Sequence, residues 1–589
     1  MNLNPNSSRI NYLPWIYLFG VLGLTWWVYS LTPNFLLLLW DDDKYITDNP
    51  LFFTPPKGNI WKAIIAGNYH PLTLISLRLD KQFGEIYHLT NVVLHLLNTT
   101  LVFILFRLFK FKPWGSLFAA LIFGIHPLHV ESVAWVSERK DVLYTAFLLG
   151  SWIVYLISST NKGLPNKFIY VISILLFILA CLSKGMAMVL PFLIIIELYF
   201  RRGNLKLEFI RLIPFFCVSV FFAGVAIWAQ GQFSAIRLAT DFTTLQKISF
   251  PFYGWFFYLI KSIYCWKLSA VYPYPTITLA GLPWYFMAAP FGFMAILFFL
   301  WIFRKTSFLL SGFLLYTVAL LPVLQIIPVG NAITADRYFY LSSIGVLYII
   351  CFFWDKWKAI KLEIYLKAIL FLGITLSLSI VARERTKVWQ NSRVLFTDVV
   401  QQFPQVAVAQ YNLGITYALE KQFSSALICY LNATQANPGY ADAWTNLGVT
   451  YLELGRNEES VGPLLRALEI SPTHVDALNN LGVAYERLGN YSEALKTYRK
   501  GLVYNPGKLE LYNNIGFMFE KTNVLDSAKY YYETALKLSP GYAMAMVNMG
   551  NILLRLGISQ DSADVWFINA AKAGHPGAQD FLRNRGIVW

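Results

Sequence analysis

The sequence predicts an all-α protein in two parts: a polytopic helical membrane bundle, followed by an α-solenoid of paired helices. Three observations predict it. The 589-residue chain is 56% hydrophobic and only 14% charged, where a soluble domain carries about 25% charged residues. Apolar runs of spanning length recur through its first two thirds. Beyond them, five glycines follow one another at intervals of 34 residues.

The apolar runs cover 12–31, 88–107, 114–129, 141–158, 167–183, 186–200, 209–230, 284–303, 308–328, 338–354 and 366–382. A bilayer core asks for about 20 apolar residues, so the shorter runs have soft edges. The first run has no small-residue cleavage site behind it and reads as a retained signal anchor. The stretch 250–265, with Phe252, Tyr253, Trp255, Phe256 and Phe257, suits either a crossing or an interfacial helix. The loops 108–113, 159–166, 201–208, 304–307 and 355–367 are basic, which places them in the cytoplasm. The loops 32–87, 130–140, 231–249 and 329–337 then face outward. This holds only if 250–265 does not cross, which is the reading preferred. Eleven spans then carry the C-terminal part to the extracytoplasmic side.

The same rule accounts for the net charge of +15. Lys110 with Lys112, and Arg201 with Arg202, adjoin apolar runs, so the lipid bilayer is the expected partner and nucleic acid is not. The five cysteines form no CxxC pair, which argues against a structural zinc and a disulfide framework.

The second part begins near Ala407. Gly414, Gly448, Gly482, Gly516 and Gly550 keep the 34-residue period of the tetratricopeptide repeat (TPR). The first repeat shows Leu413-Gly414, Tyr417, Ala426, Tyr430, Ala433 and Pro438; the third shows Leu481-Gly482, Tyr485, Ala494, Tyr498 and Pro506. Small residues let the two helices of a repeat approach, aromatics fill the gap, and Pro ends the second helix. The second repeat has Ser460 where Ala is usual, and the fifth is degenerate, as a terminal cap would be. The expected organisation is a membrane domain over 1–385, a linker helix over 386–406, five repeats over 407–576 and a cap over 577–589.

Several polar groups sit where they are costly. Asp41, Asp42 and Asp43 follow the first span directly, and like charges this close raise a pKa, which suits a general base or a metal site. His70 and Arg78 lie further along the same loop. His88, Asn91 and His95 share one helical face of the second span, a stripe expected to point into the bundle. The second outer loop carries His126, His129 and Glu131, which are able to ligate a metal although their spacing is not a recognised zinc signature. Arg139 and Lys140 follow at the membrane edge, where Arg offers a fork and Lys a point charge to a phosphate. Lys184 breaks an apolar stretch, and Asp336 and Arg337 sit at another outer corner. Acids and bases thus converge on one leaflet, as an anionic lipid-phosphate donor and a hydroxyl acceptor require.

The motifs YHPLT (69–73), HPLHVESVAWVSERKDVLY (126–144), LSKG (182–185) and ADRYFYL (335–341), with the early Asp-Asp pair and the trailing repeats, resemble the transmembrane and TPR-containing protein O-mannosyltransferases and their bacterial relatives. The resemblance covers nearly the whole chain. It implies a GT-C fold, an inverting mechanism, a polyprenyl-phosphate-linked sugar (mannose or a similar hexose) as donor, and transfer to protein Ser or Thr hydroxyls outside the cytoplasm. It puts the catalytic acid at Asp41 or Asp42 and Asp43 at a variable position. Related enzymes use an Asp-Glu pair, so the Asp-Asp here leaves the division of labour open. Arg139, Lys140, Lys184 and Arg337 become donor-phosphate candidates. His70, Arg78, His126, His129, Glu131 and Asp336 become acceptor or sugar candidates. No cofactor is required; a divalent metal is compatible. The repeats would hold a protein or peptide acceptor. The competing reading is a non-catalytic membrane scaffold whose repeats recruit partners; one anchor span would serve that, which favours catalysis. A transporter ranks last, since no pair of interrupted spans repeats.

Overall fold

The computed structural model describes residues 13–53, 56–158, 167–200, 205–232, 242–275, 281–303, 307–326, 332–357 and 361–589. The expected basic loop 159–166, Arg201, Arg202 and residues 304–306 lie outside them. The chain divides into two compact units, Met1–Phe403 and Pro404–Trp589.

The first unit is helical: α1 (Leu13–Tyr29), α2 (Pro71–Gln82), α3 (Tyr87–Leu108), α4 (Pro113–Ile125), α5 (Val130–Ala134), α6 (Arg139–Ser158), α7 (Lys167–Ser183), α8 (Leu190–Phe200), α9 (Leu205–Gln232), α10 (Thr244–Ile263), α11 (Trp284–Ile302), α12 (Ser307–Leu320), α13 (Phe339–Lys356), α14 (Lys361–Lys387) and α15 (Ser392–Gln402). Two short antiparallel strands, β1 (Tyr272–Pro273) and β2 (Ala332–Thr334), pair beside them. Among the described residues, seven helices are long and apolar enough to cross a membrane. An eighth would be the pair Pro113–Ile125 and Pro127–Ala134, bent by 53°, and three shorter apolar helices cover Lys167–Ser183, Gly185–Phe200 and Phe308–Val323. These elements match the eleven apolar runs one to one.

Lipid supplies no hydrophobic drive between helices, so close backbone approach matters. At the crossing of α12 and α13, a Cβ on Gly345 would lie 2.6 Å from the Gly312 carbonyl oxygen. The break after α4 leaves carbonyls without helical donors, which a bilayer does not tolerate. The polar stripe of α3 answers this need. His88 Nδ1 lies 3.1 Å from Ala134 O. Asn91 Nδ2 donates to Val133 O and Trp135 O at 3.2 and 3.1 Å, and His95 Nε2 lies 3.0 Å from Gly124 O. The stripe therefore staples the two helices of this bent pair together.

Helix α10 is amphipathic and opens with a capping box between Thr243 and Gln246. Phe250 packs on Tyr274, beside β1, while Tyr258 Oη accepts from Ala335 N at 3.1 Å and Ser262 O lies 3.0 Å from His126 Nε2. Both halves of α10 thus touch loops gathered at one end of the bundle. At the other end Lys112 N donates to Asp355 Oδ2 at 2.6 Å.

The second unit stacks five helix pairs, α16 (Ala407–Leu419) with α17 (Phe423–Ala436), α18 (Ala441–Glu453) with α19 (Asn457–Ile470), α20 (Val475–Arg487) with α21 (Tyr491–Tyr504), α22 (Leu509–Lys521) with α23 (Leu525–Leu538) and α24 (Ala543–Arg555) with α25 (Gln560–Lys572), closed by α26 (Pro576–Asn584). The glycine period has a steric cause: a Cβ on Gly516 would meet the Tyr532 ring at 2.6 Å.

Candidate active site

Asp41 and Asp42 follow α1 and are adjacent in sequence but differ in surroundings. Asp42 is fully buried. Its Oδ2 accepts from Leu38 N at 2.9 Å, and its Oδ1 accepts from Ser137 N at 2.9 Å and from the Ser137 hydroxyl. It ties the loop after α1 to the corner before α6. Burial pushes its carboxyl up to about 6 despite those hydrogen bonds. Asp41 keeps 24% of its side chain exposed and pairs with Lys44 at 3.3 Å. It is the acid of the two that another molecule can reach. Asp43 accepts from Lys44 N at 2.7 Å.

The cations gather on Glu138, which lies 3.1 Å from Lys140, 3.6 Å from Lys184 and 3.3 Å from Arg337. Lys184 also pairs with Asp141, and Arg337 with Glu131. Glu131 further accepts from Arg337 N at 3.1 Å. Three carboxylates therefore hold three cations in place, each cation with a small exposed fraction. Thr73 Oγ1 donates to Ser183 O at 2.9 Å, which brings the start of α2 against Lys184.

Arg139 stands apart from this cluster. It is wholly buried and its guanidinium is spent on Asn91, Ser76, Asp80 and Tyr87 O. The arginine locks α2 and α3 to α6. Asp336 accepts from Tyr272 Oη at 2.8 Å. Arg78 is half-buried on α2.

His70 and Tyr45 stack at 5.2 Å between ring centroids, with Lys140 Nζ 5.0 Å from the tyrosine ring. Burial first, then Lys140 and Lys184, pushes His70 down to about 3, so it is neutral. Burial raises Tyr45 to about 12, with Lys140 and Asp41 both acting on it. Among the described residues, His70 Nε2 has no partner, while the Tyr45 hydroxyl interacts with Lys140. His126 and His129 point elsewhere: His126 Nδ1 accepts from Leu128 N at 3.2 Å and His129 Nδ1 lies 2.8 Å from Phe123 O. Among the described residues no group of three or more His, Cys, Asp or Glu is arranged to hold a metal ion.

Sequence reasoning missed the aromatic frame. Trp40 stacks on Trp135 at 4.5 Å, and Trp135 on Trp389 at 5.6 Å. Arg337 lies 5.6 Å from the Trp135 ring, a cation–π contact. The segment 386–406, expected as a linker helix, packs against the loop that carries Asp41. Leu39 N donates to Ser392 Oγ at 2.8 Å, Leu36 N to Gln390 O at 3.1 Å, and Gln402 Nε2 to Leu268 O at 3.0 Å. The signal that could have found it is a tryptophan flanking each of these polar corners.

Tetratricopeptide repeat models match residues 439–502 and 509–542. Among curated proteins, a Caenorhabditis elegans protein named protein O-mannosyl-transferase is 24% identical over 440 residues, 66% of this chain and 59% of its own. The Homo sapiens protein O-mannosyl-transferase TMTC3 is 24% identical over 413 residues, 62% of this chain and 44% of its own. The Xenopus laevis protein O-mannosyl-transferase tmtc2 reaches 32% over 160 residues, 24% of this chain and 19% of its own. The chain spans about half the length of the first two of these relatives. The crystal structure of MamA protein is similar at 20% identity with a TM-score of 0.26, covering 30% of this chain and 96% of its own.

Proposed function

We propose that this homologue of the TPR-bearing protein O-mannosyl-transferases is itself a membrane glycosyltransferase. It moves a hexose, mannose by the relatives' names, from a polyprenyl-phosphate donor to Ser or Thr hydroxyls of a protein on the extracytoplasmic side. The observation that carries the reading is the pairing of one reachable carboxylate, Asp41, with three cations fixed around Glu138 at the same end of the bundle.

Asp41 takes the proton of the acceptor hydroxyl as its oxygen attacks the anomeric carbon. The bond from that carbon to the phosphate oxygen breaks, the configuration inverts, and polyprenyl phosphate leaves. Lys140, Lys184 and Arg337 meet the charge that develops on the phosphate, and being held by carboxylates they need little reorganisation to do so. Asp42 and Arg139 are positioning residues in this scheme: one fixes the loop that carries Asp41, the other fixes the start of α6. His70 offers an unpaired ring nitrogen against Tyr45 and Lys140, on the side where a sugar or phosphate oxygen would need partners.

The orientation rests on charge. The end opposite the site carries Lys110, Lys112, Lys356 and Lys367, which favours the cytoplasm, and the contacts of α10 with one end favour a non-crossing helix. The donor is tested by incubating the purified chain with defined polyprenyl-phosphate sugars. Consumption of one of them together with a Ser- or Thr-containing peptide supports the reading; consumption of none overturns it.

A further inference from the structure

Three of the five repeats close their start in the same way. The residue four positions before the repeat glycine donates to the carbonyl of a proline six positions upstream of itself. Gln410 Nε2 donates to Pro404 O, Trp444 Nε1 to Pro438 O and Tyr512 Oη to Pro506 O, each at 3.0 Å. The third repeat keeps the proline, Pro472, but has Leu478 at the donor position. Leucine brings neither a donor nor a ring. The fifth repeat has Met546 there, packed into the core of the last helices.

The difference leaves a space. A groove of about 420 Å³ opens at the third repeat, within the ~300–1,000 Å³ of ligand-sized clefts. Its floor is Leu478 and Leu481 of α20. Its walls are second helices of their pairs, with Leu465 and Leu468 on α19 and Thr497 and Lys500 on α21. The fourth repeat fills the equivalent space with its own rings. Tyr512 lies 6.5 Å from Tyr531 between ring centroids, and Tyr531 stacks on Phe519 at 5.5 Å. Tyr531 stands 34 residues after Thr497 and Tyr512 stands 34 after Leu478, so the third repeat lacks two of these rings. In the second repeat Trp444 packs on Ala426, Tyr430 and Leu447. The rim of the groove also has a charge left over. Glu493 pairs with Lys496 at 3.5 Å and Glu469 with Arg466 at 2.6 Å. Among the described residues, Lys500 is exposed and has no ion-pair partner.

We propose that this groove is a socket for a tryptophan or tyrosine side chain of a partner protein, carried on a segment with a carboxylate beside the ring. The ring takes the space that Trp444 and Tyr512 occupy in their own repeats. Its N–H or O–H donates to Pro472 O, as theirs do to Pro438 O and Pro506 O. The carboxylate meets Lys500. An aromatic side chain buries about 150–250 Å² and keeps one polar tip, which suits an apolar floor with a carbonyl in reach. Solenoids usually bind along their extended concave surface; this socket is walled by second helices instead. Nothing in it depends on the transfer reaction proposed above.

The full chain in lipid nanodiscs is titrated with the fluorescently labelled peptide Gly-Ala-Trp-Asp-Ala-Gly and with versions carrying Phe or Leu for the Trp, or Asn for the Asp. The socket predicts saturable binding of the Trp peptide. The Phe version binds about three- to tenfold more weakly, having lost one hydrogen bond, and the Leu version more weakly still. The Asn version loses up to about fivefold, the worth of an exposed ion pair, and Lys500→Ala abolishes that difference. Leu478→Trp restores the ring and the donor of the neighbouring repeats, so it raises the thermal midpoint and blocks the peptide. Thr497→Tyr copies Tyr531, closes the groove from its other wall and blocks the peptide as well. No binding of the Trp peptide, equal binding of the Leu version, or binding that persists in a folded Leu478→Trp or Thr497→Tyr chain overturns the socket.

Discussion

Asp41 and Asp42 are neighbours along the chain, and their different surroundings divide their tasks. Asp41→Asn is expected to lower turnover by about 10²- to 10⁴-fold, the usual contribution of a general base, with donor binding intact; unchanged turnover would move the base elsewhere. Asp42 makes a prediction about pH. Its folded carboxyl sits at about 6, above the ~3.9 of an unfolded chain, so protonation favours the folded form. The stability it adds is full below about pH 4 and is lost as pH rises through about 6. The thermal midpoint of the wild type relative to Asp42→Asn should therefore fall over that window; a relative midpoint that rises contradicts the assignment. The two arginines also differ. Arg337→Ala should weaken binding of a polyprenyl-phosphate sugar about 10- to 100-fold. Arg139→Ala should instead unfold the unit, since a buried carboxylate left without its partner costs about 3–5 kcal/mol; folded yield and thermal midpoint read this directly. Both arginines stand out in the sequence as cations at a membrane edge. Nothing local tells them apart, because what separates them is Asp80, 59 positions away from Arg139, against Glu131, 206 positions away from Arg337.

The elements best legible in the sequence are those whose signal is their own periodicity. Spans such as α3 and α6 are apolar over their length, and the repeat helices carry their spacing in Gly, Tyr and Pro. Elements defined by what they touch were not legible. The polar stripe of α3 points into the bundle as its spacing predicts, but the carbonyls it satisfies, freed by the bend after α4, could not be named from its own periodicity. The stretch 386–406 reads as a linker, yet Trp389 is buried in a tryptophan stack and Ser392 holds the backbone just before Asp41. If this strap positions the base, Ser392→Ala and Trp389→Leu should lower kcat while leaving donor affinity within about twofold, and Ser392→Thr should restore most of kcat. Such a split is expected because the strap touches the loop carrying Asp41, whereas the lysines are fixed by Glu138. A loss of donor affinity in step with kcat would make the strap a general support of the fold.

At the scale of the molecule, the membrane unit gathers acids, cations and aromatics at one end and leaves a lysine-rich end opposite. Charge bias was readable from the loops alone, since the bias acts on loops one by one. The convergence on Glu138 needed the fold, which brings together loops near residues 40, 138, 184 and 337. With the basic end in the cytoplasm, a reporter that is active only in the cytoplasm, fused after Trp589, should be silent; a bright signal would invert the whole arrangement. The central claim is that the outer end transfers sugar from a lipid phosphate with Asp41 as base. The most direct measurement supplies purified chain in nanodiscs with a radiolabelled polyprenyl-phosphate mannose and a Ser/Thr peptide, for the wild type and for Asp41→Asn. The account predicts labelled peptide from the wild type, little or none from Asp41→Asn, and equal retention of labelled donor by both. Transfer that survives in Asp41→Asn, or a wild type that binds peptide and consumes no polyprenyl-phosphate sugar, would contradict it.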